Sequence, residues 1–218
     1  MRAAPFIFAW MPLLEIRRHA ERARLKDNES SLSPAGRAMA EGLAKRAPKY
    51  ALVLSSPLPR AKETAQLIAG RLDGIEAGLL PEMGGVIGDR IFGEMRSLDD
   101  WEAVLAERED ARAFALEQLQ TWARIAARVG DNDRVLAVSH GGIIELPALT
   151  LAGRLRAPLR GAAFGYGEGV VVTYAKGARQ RRSRRCGSSR RRSTRGAWCW
   201  SPTRRPSRSS DRAPSGSP

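Results

Sequence analysis

The chain has 218 residues, 43% of them hydrophobic, and a formal net charge of +14, a length that suits one domain with a full core plus a tail. Of the 37 Lys and Arg, 14 follow Ala175 against one acid, Asp211, which leaves 23 basic and 22 acidic residues in the body. The nearly neutral body gives no reason to expect specific nucleic-acid binding. Cys186 and Cys199 also lie in the tail, so no disulfide or Cys-based metal site supports the body, which fits a reducing cytoplasm.

In chain order, Phe6 to Leu13 is apolar but interrupted by Pro5 and Pro12, and no A-x-A site follows. It reads as an N-terminal extension (residues 1–10) rather than a signal peptide, with Met11 a candidate start. Leu13–Arg17 reads as a short strand. Ser33-Pro34 supplies an N-cap and a first-turn proline, and Ala35 to Arg46 follows at helical spacing, with Met39, Leu43 and Ala47 on one face. Residues 50–54 read as a buried strand. Leu58 to Leu72 reads as a helix with Ala61, Ala65, Ile68 and Leu72 inward. Residues 75–80 read as a short strand. Leu98 to Arg128 is a long helical stretch broken near Glu109-Asp110. Residues 134–139 form a strand, 141–152 a helix, and 162–166 with 169–174 a terminal hairpin around Gly167.

Strands alternating with helices predict an α/β three-layer sandwich, with a mainly parallel central sheet and helices on both faces. The domain spans residues 11–175. Residues 176–218 are rich in Arg, Ser, Pro and Gly without an apolar period, and so read as a basic, disordered tail. Trp198 and Trp200 have no evident reason to be there. No stretch reaches the ~20 apolar residues of a membrane helix, and a cytoplasmic protein with no membrane partner is expected. The oligomeric state is left open.

The chain has two histidines, His19 and His140, and each follows a strand-like run. In open α/β sheets that rim is where ligands bind. Imidazole suits nucleophilic and proton-transfer chemistry near neutral pH. Arg18 precedes His19, Arg60 lies in a first helical turn after Ser55-Ser56-Pro57, and Gly141-Gly142 follows His140. Two imidazoles, two guanidinium forks and two helix N-termini at one rim describe an oxyanion site. Arg17 alternates away from Arg18 and reads as structural. Ser139 and Thr64 read as hydrogen-bond supports.

Three segments carry a resemblance: Arg18-His19-Ala20, Ser55-Ser56-Pro57 through Arg60-Ala61 to Thr64-Ala65, and Ser139-His140-Gly141-Gly142. In order and spacing the chain resembles the histidine phosphatase superfamily, in its phosphoglycerate-mutase-like branch, over roughly residues 11–175. The resemblance implies that His19 is the nucleophile and passes through a phosphohistidine. It implies that Arg18, Arg60 and His140 bind the phosphoryl oxygens, with no metal or cofactor. The acid implied is Glu82, in Leu80-Pro81-Glu82, with Asp89 and Glu94 as alternatives.

Two positions depart from the family. Ala20 replaces a Gly, and Leu25 stands where many members carry a phosphate-binding Asn; Asn28 lies further along. The expected activity is a metal-independent phosphatase, a phosphoric monoester hydrolase, acting on a phosphorylated small molecule or a phosphoprotein, by way of a phosphomonoester or phosphohistidine. A catalytically inactive phosphate-binding relative and a mutase-type phosphotransferase are the alternatives.

Overall fold

The computed structural model describes residues 12–25, 27–81, 96–175 and 197–202. Strands β1 (Leu13–Arg18), β2 (Leu52–Ser55), β3 (Gly74–Ile75), β4 (Arg134–Ser139), β5 (Gly169–Ala175) and β6 (Ala197–Pro202) form one sheet, in the order β3-β2-β4-β1-β5-β6. The first four of these in space are mutually parallel, while β5 and β6 join antiparallel. Helices α1 (Pro34–Ala44), α2 (Pro59–Ala69), α3 (Leu98–Glu107), α4 (Glu109–Ala126) and α5 (Glu145–Arg154) cover both faces.

Strand periodicity explains the two cores. In β4, Val135 and Ala137 join one cluster, built with Trp101 of α3, Trp122 of α4 and Leu146 of α5. Leu136 and Val138 point to the other face and meet Ala40 of α1 with Ala61, Ala65 and Ile68 of α2. A strand buried on both faces reads as a continuous apolar run, and residues 135–138 are such a run. The three-layer sandwich expected from the sequence is the fold observed.

Local signals set the helix ends. Ser33 accepts the Gly36 N–H at 2.9 Å, and Pro34 opens α1. Ser97 and Asp100 form a reciprocal capping box at the start of α3, satisfying two N–H groups that the helix cannot. Arg108 adopts an extended conformation (φ −115°, ψ 122°) and breaks the long helical stretch into α3 and α4.

Three expectations need correction. Leu43 and Ala47 of the expected face pack against the core, but the fully buried positions of α1 are Gly36 and Ala40, and Met39 is 38% exposed. A Cβ at position 36 would collide with the Glu21 carbonyl, so close backbone approach, not the largest side chains, sets the docked face. Residues 162–166 do not form a hairpin strand. They make one bridge, Ala162 to Ser97, and β5 pairs instead with β1 and β6. The backbone of Phe164 is taken by side chains of the site, as described below. Within the basic tail, Ala197–Pro202 is a strand, in register with Val170 to Ala175. A short Ala-Trp-Cys-Trp run has β propensity that the average composition of the tail conceals. Among the described residues no helix is long and apolar enough to cross a membrane.

Candidate active site

The parallel strands β1, β2 and β4 end side by side. Arg18 is in register with Ser139, and Ser55 with Val138. The residue after each strand therefore emerges at the same rim. The His19 N–H donates to the Ser139 carbonyl (2.9 Å), and the Ser56 N–H to the Val138 carbonyl (3.0 Å). These bonds carry the sheet one step past its strands and bring His19, Ser56 and His140 together. The ring centroids of His19 and His140 lie 5.0 Å apart.

His19 is 5% exposed. Its Nδ1 lies 2.6 Å from the Ala20 carbonyl oxygen. A carbonyl only accepts, so Nδ1 carries the proton and Nε2 keeps its lone pair. Arg60 Nε donates to that Nε2 at 3.1 Å. Burial, then the positive charges of Arg60, Arg18 and Arg22, pull the His19 pKa down to about 3 against the opposing Ala20 hydrogen bond. The ring is neutral across the physiological range.

Arg60 is 5% exposed and donates through a terminal nitrogen to the Asn28 carbonyl (2.8 Å). Burial, followed by the charge of Arg22, lowers its pKa to about 10, so it stays cationic near neutrality. Thr64 braces both partners. Its hydroxyl accepts the Ala20 N–H (3.0 Å) and donates to the Arg60 carbonyl (2.7 Å). Asn28 thus enters the site through its main chain, while Leu25 is 66% exposed.

Arg18 donates to the Phe164 carbonyl at 2.8 Å. Its Cζ lies 4.5 Å from the centre of the Tyr166 ring, a cation–π contact. Its Nε is buried without a protein partner. His140 is 6% exposed; its Nε2 is 2.7 Å from the Ser56 hydroxyl, and its Nδ1 is buried and unpartnered. Burial, then the charges of His19, Arg60 and Arg18, lowers its pKa to about 2. Ser139 turns away and donates to the Leu79 carbonyl (2.7 Å). Arg17 reaches Glu15 and the Gly167 carbonyl, off the site.

The structure thus gathers His19, Arg18, Arg60 and His140. Glu82, Asp89 and Glu94 lie outside the described residues. The backbone donors expected at Gly141-Gly142 are not both free. Helix α5 starts only at Glu145, and the Gly142 N–H goes to the Glu145 carboxylate at 2.6 Å. Gly141 instead lets Arg18 lie against the backbone, where a Cβ would be 2.9 Å from Cζ. Sequence reasoning missed Tyr166, Glu145 and Arg22. Tyr166 and Glu145 sit outside the three motifs, and only the fold brings them to Arg18.

The comparisons agree with this geometry. A family model described as histidine phosphatase superfamily (branch 1) matches residues 15–185. The chain belongs to that superfamily. Among solved structures it resembles phosphoglycerate mutase from Bacillus anthracis str. Sterne, at 18% identity and TM-score 0.55, covering 76% of this chain and 88% of that one. It also resembles phosphoserine phosphatase from Entamoeba histolytica in complex with 3-phosphoglyceric acid, at 20% identity and TM-score 0.53, covering 75% and 90%. A mycobacterial glucosyl-3-phosphoglycerate phosphatase in complex with VO3 is similar at 23% identity and TM-score 0.50, over 74% and 92%. At these identities the likeness establishes the fold. A search of curated protein sequences found no significant match.

Proposed function

We propose that the protein is a metal-independent phosphatase that hydrolyses a phosphomonoester or a phosphohistidine through a phosphohistidine on His19. One observation carries the reading. Arg60 Nε reaches the lone pair of His19 Nε2, the His140 ring lies 5.0 Å from the His19 ring, and Arg18 Nε and His140 Nδ1 are buried without protein partners. Buried polar groups are nearly always paired, so two unpartnered nitrogens on the residues beside His19 suit an oxyanion.

The steps follow from the protonation states. Nε2 attacks phosphorus as the P–O bond of an ester, or the P–N bond of a phosphohistidine, breaks. The neutral His140 ring accepts the Ser56 O–H at Nε2 and donates from Nδ1 to a phosphoryl oxygen. Arg18 and Arg60 hold the others with fixed charge, where such donors act most strongly in the transition state. Arg60 leaves its bond to Nε2 as phosphate arrives. Water then attacks phosphorus, the P–Nε2 bond breaks, and inorganic phosphate departs with His19 restored. An alkoxide leaving group needs a proton donor, and Glu82 is the proposed source; a phosphohistidine leaves without one.

The domain responsible is residues 11–175, and the substrate is a phosphorylated small molecule or phosphoprotein. The test is a panel of phosphomonoesters and a phosphohistidine peptide, assayed with EDTA, together with acid-quench trapping of phosphoenzyme. Turnover in chelator with an acid-labile phosphoenzyme that disappears in His19→Ala is expected. Tight vanadate binding without any phosphoenzyme would identify a non-catalytic relative instead.

A further inference from the structure

Glu145 is 1% exposed, yet among the described residues no cation pairs with it directly. A carboxylate taken out of water without a counter-ion is expensive unless its oxygens are well hydrogen-bonded. Here both oxygens go to backbone N–H groups: Oε2 accepts from Gly142 at 2.6 Å and Oε1 from Phe164 at 3.2 Å. Capping the nearby turn alone needs one acceptor. The second bond reaches a segment 19 residues away.

We propose that Glu145 is a positioning residue of the phosphate site, whose two oxygens lock the turn after His140 to the Phe164 segment and thereby fix the guanidinium of Arg18. The inference rests on the phosphate-site reading above. Among the described residues, the supports of the Arg18 guanidinium belong to those two segments. Gly141 lies against Cζ on the turn side, where a Cβ would come to 2.9 Å. The Phe164 carbonyl accepts at 2.8 Å and the Tyr166 ring stacks at 4.5 Å. Phe164 is therefore held from both its polar groups, N–H by Glu145 and C=O by Arg18. Loosening the carboxylate frees both walls of the Arg18 slot, and a small misplacement of a phosphate fork lowers rate and affinity steeply.

Protonation state matters to such a clamp. Ionised, the carboxylate accepts from both N–H groups; protonated, one oxygen becomes a donor and meets an N–H head-on. Burial pushes Glu145 up to about 7, opposed by hydrogen bonds to backbone and by Arg18. Among the described residues Arg18, from the end of β1, is the charged group acting on it; the turn after β4 and the Phe164 segment present backbone N–H groups. His19 at about 3, His140 at about 2 and Arg60 at about 10 do not change charge on either side of the Glu145 transition near neutrality. Oxyanion affinity therefore rises as pH passes upward through the Glu145 transition.

The experiment compares full-length wild type with Glu145→Gln, which resembles the protonated acid in carrying one acceptor. Orthovanadate affinity, kcat and KM for p-nitrophenyl phosphate, and Tm are measured at about pH 6 and about pH 8. The expected result is a folded variant whose vanadate affinity and kcat/KM drop on the order of tenfold or more at the higher pH. The gap should narrow at the lower pH, because substrate and vanadate ionise identically in both proteins. A folded variant with wild-type vanadate affinity at the higher pH overturns the inference while leaving the phosphatase reading intact. Should Glu145→Gln not fold, NMR of the Arg18 guanidinium in the wild type decides. Its resonances should move with a midpoint near neutrality, and a flat titration overturns the inference. Wild-type protein that binds neither vanadate nor phosphate overturns the functional reading and this inference with it.

Discussion

His19 keeps the Nε2 lone pair that the proposed nucleophile needs, because its one proton is held by the Ala20 carbonyl and its pKa lies near 3. His19→Ala is expected to fold, bind vanadate weakly and form no phosphoenzyme; circular dichroism and phosphate trapping check the two halves. Arg60→Lys removes the Nε donor and the fork, and should raise the barrier by about 2–4 kcal/mol, seen as a fall in kcat/KM with little change in Tm. The buried rings also set a pH dependence of stability. Both folded pKa values lie below the ordinary 6.5, so the unfolded chain binds more protons and stability falls as pH drops below about 6.5. Glu145 has the opposite sign, since its folded pKa of about 7 exceeds the ordinary 4.5; its contribution is full below 4.5 and is lost as pH rises through 7. Two histidines outweigh one glutamate, so urea midpoints should decline from pH 6.5 downward and steepen below 4.5. His19→Ala should soften that decline.

At the scale of elements, the docking of α1 against the loop after β1 depends on Gly36, where a Cβ would strike the Glu21 carbonyl. That loop carries Asn28, which orients Arg60, so packing and chemistry are linked through one small residue. Gly36→Ala should destabilise by about 1–3 kcal/mol through overpacking. Gly42→Ala on the same helix meets nothing within 4 Å and should stabilise by about 0.5–1 kcal/mol through helix propensity. Chemical denaturation of the pair separates the contact from the propensity. The segment before β5 shows the reverse priority. Residues 162–166 give up strand pairing because the N–H and C=O of Phe164 are committed to Glu145 and Arg18.

At the scale of the whole molecule, the residues gathered at the proposed site among the described residues lie between Arg18 and Tyr166, and β5 pairs with β1 on the side away from β6. Truncation after Ala175 removes β6 and exposes the far edge of β5. Tm should fall modestly while kcat/KM at moderate salt is retained; loss of turnover in a folded truncation would show that the basic segment serves the chemistry. Full-length protein should also bind polyanions in a salt-dependent manner that the truncation lacks, because 14 of the 37 basic residues follow Ala175.

The sequence by itself determined the α/β class, the break between α3 and α4, and the gathering of His19, Arg18, Arg60 and His140. Each follows from short-range chemistry: strand runs that end in a polar residue, a Ser-Pro cap, an Arg in a first turn. Only the tertiary structure decided which groups support them. Glu145 looks like an ordinary first-turn acid until α5 is placed beside the Phe164 segment. Tyr166 looks like part of a hairpin until Arg18 lies on its ring. Asn28 acts through a carbonyl, which no side-chain pattern encodes. β6 depends on an edge left open by β5, and an averaged tail composition carries no record of that edge. Contacts made by backbone atoms across long separations leave no residue-type signature, and here they are what hold Arg18 and Arg60 in place.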